Sequence, residues 1–198
     1  MPDRSETKIL LHICCAPCAE YPLAILMDEG VGVHGYYYNP NIHPAVEHRR
    51  REEGVRWLTD KRGIDCLYDD TVLQEIWEQG DEHHEGRLCE RCYGMRMRKA
   101  AQMTRELGLE AFTTTLLVSP YQKHDLLRDQ AEKAARAAGV RFLYRDFRTG
   151  FRVGQDMARA DGLYRQKYCG CIDSLNGSRF KNRILGEHQA LTDLAGGL

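Results

Sequence analysis

The stretch Lys8-Ile9-Leu10-Leu11-His12-Ile13-Cys14-Cys15-Ala16-Pro17-Cys18 runs from an apolar segment straight into a cysteine-rich turn. Lys8 to Ile13 reads as a buried strand, and a helix is expected after the turn, around Tyr21 to Glu29, stopped by Gly30. Working outward, Val31 to Tyr38 is a second strand, closed by the breaker-rich Asn39-Pro40-Asn41-Ile42-His43-Pro44. Pro44 suits the first turn of a helix that runs to about Arg62 and ends at Gly63. Ile64 to Tyr68 is the third strand. A helix near Leu73 to Gln79 and an acidic loop follow, then a longer helix that opens around Cys89 to Cys92 and reaches Leu107. Its inward stripe is Tyr93, Met97, Ala100, Thr104 and Leu107. Ala111 to Val118 and Val140 to Tyr144 are the fourth and fifth strands, with the helix Asp125 to Ala138 between them.

Strands alternating with helices of crossover length argue for an α/β fold, a Rossmann-like open parallel sheet of about five strands with a helical C-terminal extension. The division expected is residues 1–149 for the α/β domain and 150–198 for a basic helical lobe packed on it. Within 198 residues, 42% hydrophobic and 29% charged, there is material for one well-packed core. The apolar runs fall far short of the roughly 20 residues of a membrane helix. Met1 to Lys8 has no signal-peptide pattern, so a cytoplasmic protein with no membrane partner is expected. The net charge of -1 conceals an asymmetry. Arg141 to Arg183 carries ten Lys/Arg against four Asp/Glu, whereas Ile64 to Glu90 carries nine acidic residues and one Arg. A basic surface of that kind is a weak pointer to a polyanion, because most charge clusters are solvated faces.

Eight cysteines call for metal or redox chemistry in a chain without secretory features, and seven of them fall into three groups. In open parallel sheets, ligands bind beyond the carboxyl ends of the strands, where strand order reverses. Cys14, Cys15 and Cys18 follow the first strand at that edge. The helix opening at Cys89 and Cys92 feeds the fourth strand, so it begins at the same edge, and the two groups are expected to face one another. Thiolates two residues apart at a helix start can turn toward one soft metal. Four cysteines in two pairs match a structural zinc or a four-iron cluster, and spacing does not choose between them.

The third group, Tyr168-Cys169-Gly170-Cys171, can close only a strained small-ring disulfide, which suits electron handling; two unrelated cysteines or extra metal ligands are the other readings. Cys66 lies within a strand pattern and reads as core. His83 and His84 read as solvated loop residues, and His12 as packing or as a neighbour of the cysteine site. The tract Tyr36 to Pro44, with Tyr38 and Asn39 in it, offers aromatic faces on which a flipped base can stack, or else alternate tyrosines packed in the core. Ser119-Pro120-Tyr121-Gln122-Lys123 stands at the switch point, as a substrate loop or an ordinary strand-to-helix connection.

Taken together, Leu10 to Cys18, Tyr37 to Pro44, Cys89-Glu90-Arg91-Cys92-Tyr93, Thr114 to Tyr121 and Tyr164 to Cys171 resemble, in order, the motifs of the epoxyqueuosine reductase QueH family. The resemblance implies a fold related to nucleotide hydrolases and PP-loop proteins. It implies reduction of epoxyqueuosine to queuosine at the tRNA wobble position, with iron-sulfur chemistry and without cobalamin. Cys14, Cys15, Cys89 and Cys92 match the family's cluster-region cysteines, here expected to hold a 4Fe-4S cluster. Cys169 and Cys171 match its redox-active pair. Cys18 is a candidate ligand for an additional adjacent iron, and Tyr38, Asn39, Ser119, Tyr121 and Arg165 are candidate substrate contacts. The partners implied are tRNA with a queuosine-type anticodon and an external electron donor.

Two other classes compete. A PP-loop tRNA sulfurtransferase needs a glycine-rich phosphate loop after the first strand, but Cys14 to Cys18 stands there without a glycine. A zinc-stabilised RNA-binding module would use the cysteines structurally, and metal content separates it from the reductase.

Overall fold

The computed structural model describes residues 8–71, 73 and 87–196. Five parallel strands form one sheet in the order β3-β2-β1-β4-β5: β1 Lys8–Ile13, β2 Gly32–Tyr38, β3 Cys66–Asp69, β4 Ala111–Thr114 and β5 Arg141–Phe142. The central strand places His12 between Tyr36 of β2 and Thr114 of β4. From β1 the chain steps one way through β2 to β3, then crosses to β4 and continues the other way. The switch point therefore lies between the carboxyl ends of β1 and β4.

Right-handed crossovers turn this reversal into two helix layers. The helices α1 (Ala16–Asp28) and α2 (Ala45–Arg62) serve the first direction, and α3 (Arg87–Glu106) and α4 (His124–Ala138) the second. The long contact between α3 and α4, and the packing of α1 on α2, follow from that arrangement. Ile9, Leu10, Leu11, Ile13, Tyr37 and Phe112 are buried between the layers, which is why β1 has no alternating polar face. At about 25 cal/mol per Å² of apolar surface removed from water, this core is the main source of stability.

The third strand shifts to Cys66–Asp69, and three other expected elements change. The first helix begins at Ala16 instead of Tyr21, because Pro17 lies in its first turn, where no N–H is needed. Cys18 is thereby drawn into the helix, with Cys15 as its extended N-cap. The fourth strand ends at Thr114 instead of Val118. There the Thr114 hydroxyl accepts from the Leu116 N–H and turns Thr115–Val118 into a 3-10 helix. The fifth strand shrinks to two residues, paired only with β4.

Beyond the sheet come a 3-10 turn at Arg148–Gly150 and three helices: α5 Phe151–Ala160, α6 Ile172–Asn176 and α7 Lys181–Gly196. α5 lies on α1 through Gly150 and Gly154, which accommodate Tyr21. Tyr168, Leu175 and Ile184 form a small core of their own. The expected helix Leu73 to Gln79 and the His83-His84 pair fall outside the described residues, save Leu73, whose N–H donates to the Pro40 carbonyl. No helix among the described residues is long and apolar enough to cross a membrane.

Candidate active site

The end of β1 is fastened from both neighbours before the cysteines begin. His12 is fully buried, with Nε2 3.1 Å from the Tyr38 carbonyl and Nδ1 2.8 Å from Thr114 Oγ1. The carbonyl can only accept, so Nε2 carries the proton and Nδ1 accepts from the hydroxyl. Burial lowers its pKa to about 4, and the ring is neutral. One residue past the strand, the Cys14 N–H donates to Thr115 Oγ1 at 3.0 Å, and that oxygen lies 3.2 Å from Cys14 Sγ. The 3-10 turn after β4 thus closes on the turn after β1, across the switch point.

The sulfurs of Cys14, Cys15 and Cys18 all lie within 4.8 Å of one another, and all three side chains are buried. Cys14 and Cys15 are separated by 3.8 Å. Two thiolates on one tetrahedral ion, with bonds of about 2.3 Å, stand roughly 3.8 Å apart. The trio therefore fits a soft metal and can hold one. Hydrogen bonds from Cys15 and then Cys18 hold the Cys14 thiol well below its ordinary range, while burial pushes Cys15 up.

The first turn of α3 brings Cys89 and Cys92, three positions apart and so on one face. Asn41 Nδ2 donates to Cys92 Sγ at 3.3 Å, and the buried Arg96 forks onto Asn41 Oδ1 at 3.2 and 2.7 Å. Burial raises both thiols. From the C-terminal segment, Cys169 opens beside Gln122, whose Nε2 lies 3.8 Å from its sulfur. A hydrogen bond from Cys171, with Arg96, Gln122 and Arg51 nearby, brings the Cys169 thiol down to about 6.

One cavity of about 840 Å³ joins these groups, with Cys14, Cys18, Cys89, Cys92, Cys169 and Cys171 in its wall. Cys15 lies just beneath, almost fully buried. Ser119 and Tyr121 line the cavity, as do Gln122, Lys123 and Gln166. Tyr38, Asn39 and Arg165 are not in that wall. Tyr38 stacks on Tyr36 at 6.0 Å between centroids, and the buried Asn39 donates to the Ile13 carbonyl at 2.9 Å. Arg165 is exposed, and Cys66 sits apart in β3, its thiol raised to about 11 by burial. Sequence reasoning did not single out Arg51, Arg96 or Asn41. The i, i+4 pair Glu47 and Arg51 signals a helix but not the face that meets a site.

A family model described as "Epoxyqueuosine reductase QueH" matches residues 9–177, a span that contains all three cysteine groups. The chain belongs to the QueH family. Its similarity to several QueH proteins covers most of both chains. It is 37% identical over 168 residues to epoxyqueuosine reductase QueH of Dehalococcoides mccartyi, covering 84% of this chain and 92% of that protein. It is 31% identical over 183 residues to QueH of Thermotoga maritima, covering 88% and 93%. It is 32% identical over 183 residues to QueH of Acinetobacter baylyi, covering 88% and 83%. Among solved structures, a deacetylase crystallised with teicoplanin superposes with a TM-score of 0.47 at 14% identity, covering 69% of this chain and 68% of that one. In this QueH chain, then, the cavity wall, from Cys14 to Ser174, lies within the matched span.

Proposed function

We propose that this chain reduces the epoxide of epoxyqueuosine in tRNA to the cyclopentene of queuosine. The observation that carries the reading is the convergence of six cysteines, drawn from three separate segments, on one cavity at the switch point of the sheet. Deoxygenation consumes two electrons and two protons and releases the epoxide oxygen as water. In this reading Cys14, Cys15, Cys89 and Cys92 would hold a 4Fe-4S cluster, and Cys18 would be a ligand of an additional adjacent iron. Bound there, an iron-sulfur cluster supplies electrons singly, and an iron with an open position supplies a Lewis acid. Cys169 and Cys171 hold two further electrons as a dithiol in the same cavity wall, refilled by an external donor. Residues 150–198 act as the lobe that brings this pair to the cavity.

Ser119, Tyr121 and Lys123 line the cavity after β4, and in this reading they meet the modified base and its neighbours. For the RNA backbone, cations without an acidic partner are favoured in this reading. Arg141, Arg145, Arg148, Lys167 and Arg183 face Glu110, Glu29, Asp146 and Glu187. Lys123, Arg152, Arg165 and Lys181 have no acidic partner among the described residues and are the better candidates for phosphate contact. Affinity for tRNA then falls steeply as salt rises.

The test is anaerobic incubation of the iron-reconstituted protein and a strong reductant with tRNA bearing epoxyqueuosine, followed by mass spectrometry of the nucleosides. Loss of one oxygen, abolished in Cys89→Ser, is the expected result. An unchanged nucleoside with the cofactor intact overturns the reading.

A further inference from the structure

Three successive carbonyls around the Cys169-Gly170-Cys171 turn are held from one side. Arg51 lines the cavity and donates from Nη1 to the Cys169 carbonyl at 2.8 Å and from Nη2 to the Tyr168 carbonyl at 3.1 Å. The Gly170 carbonyl accepts from the His43 N–H at 2.7 Å. The guanidinium is itself fixed, its Nε donating to Glu47 Oε1 at 2.6 Å. Glu47 is fully buried, and its second oxygen accepts from the Tyr164 hydroxyl at 2.9 Å and lies 2.9 Å from His188 Nε2 on α7. A buried carboxylate is held in place by the partners that compensate its charge, so this cation and the two further polar groups make Glu47 a fixed anchor for the guanidinium.

The glycine between the cysteines belongs to the same device. Gly170 has φ 122, a conformation that side chains resist, and a Cβ there would stand 2.8 Å from Arg51 Nη1 and 3.2 Å from Ile42 Cγ1. Only a residue without a side chain lets the guanidinium reach the peptides on both sides of Cys169. Both sulfurs are free thiols in this arrangement. To close, they must approach to about 2.05 Å with a defined torsion, and the small ring then has to re-form the held turn.

We propose that Arg51, anchored by Glu47, is a positioning residue that holds the Cys169–Cys171 turn in its dithiol geometry and so sets how readily the pair closes to a disulfide. The consequence for turnover rests on the reading of these cysteines as the redox pair; the equilibrium itself does not. Closure breaks two S–H bonds and forms one S–S bond. The two electrons and two protons pass to a disulfide oxidant, which is cleaved to two thiols. The planar fork is essential, because an ammonium in its place is a point charge that cannot span two carbonyls.

The experiment equilibrates the reconstituted full-length protein anaerobically with glutathione and glutathione disulfide, alkylates the free thiols, and reads the Cys169–Cys171 peptide by mass spectrometry. Arg51→Gln, Arg51→Lys and Gly170→Ala are each expected to move the equilibrium toward the disulfide by about tenfold, roughly 30 mV for this two-electron couple. An unchanged constant in Gly170→Ala, or a wild-type value in Arg51→Lys, overturns the proposal. Gly170→Ala retains both Glu47 and Arg51 in the chain and decides the matter if Arg51→Gln does not fold. Full epoxyqueuosine turnover by the Cys169→Ser, Cys171→Ser double variant would remove the pair from the reaction while leaving the equilibrium result standing, so the two failures are distinct.

Discussion

Gln166 Nε2 stands 2.8 Å from the Sγ of Cys15, a sulfur 151 positions away in sequence, and 3.7 Å from that of Cys18. A side chain from the C-terminal segment thus supplies the polar contact to sulfurs that β1 and α1 bury. An N–H directed at a metal-ligating sulfur orients it and stabilises its anionic form. Gln166→Ala is expected to weaken metal binding by roughly 10–100-fold, the usual effect of losing such a contact. Competition with a chelator measures this, and the melting temperature of the metal-free protein serves as the control that should stay put.

Asn41 is the hinge between a buried cation and a buried sulfur, holding Arg96 with its oxygen and Cys92 with its nitrogen. Asn41→Ala leaves the guanidinium without this acceptor. Stability is expected to fall by roughly 1–3 kcal/mol, or more because the donor is charged, as read from the urea midpoint. Asn41→Asp keeps the acceptor for Arg96 but sets a carboxylate against Cys92, so stability is retained better than metal binding.

Two glycines should respond in opposite directions. A Cβ on Gly150 would lie 2.1 Å from the Tyr21 ring, where α5 meets α1. Gly150→Ala is expected to destabilise by about 1–3 kcal/mol through overpacking. Gly186, inside α7, has open space around its would-be Cβ. Gly186→Ala should stabilise by about 0.4–1 kcal/mol by restricting the unfolded chain. Thermal melts of the two variants, run side by side, read the difference in sign.

His48 predicts a loss of stability in mild acid. Its ring is buried edge-on to Tyr37, and burial lowers its pKa below the ordinary 6.5, an effect that Arg96 and Arg51 reinforce and Glu52 and Asp70 oppose. Above that ordinary value the ring is neutral in both the folded and unfolded chain. As pH falls through it, the unfolded chain takes up a proton that the folded ring resists, so stability declines until the folded pKa is reached. Urea midpoints between about pH 7.5 and about pH 5.5 should fall more steeply for the natural protein than for His48→Phe. Equal slopes would show that other groups carry the acid response.

The layout of this protein was legible in the sequence because it rests on local signals. Apolar runs between breakers mark five strands, and helices of crossover length between them require a parallel sheet. From that alone Cys14, Cys15 and Cys18 fall at the carboxyl edge of β1, with Cys89 and Cys92 at the start of the helix that feeds β4. The turn from strand to 3-10 helix at Thr115 was not legible, since Thr115–Val118 has the same apolar character in either conformation. A Thr114 hydroxyl and the end of the β1 ladder decide it. Nor could the sequence show that Gln166 meets Cys15, that Arg51 grips the carbonyls around Cys169, or that Asn41 links Arg96 to Cys92. Chain pattern determines which segments become strands and helices, because periodicity and turn chemistry act over a few residues. Which donor meets which sulfur or carbonyl depends on groups more than 50 positions apart being brought together, and only the tertiary structure decides that.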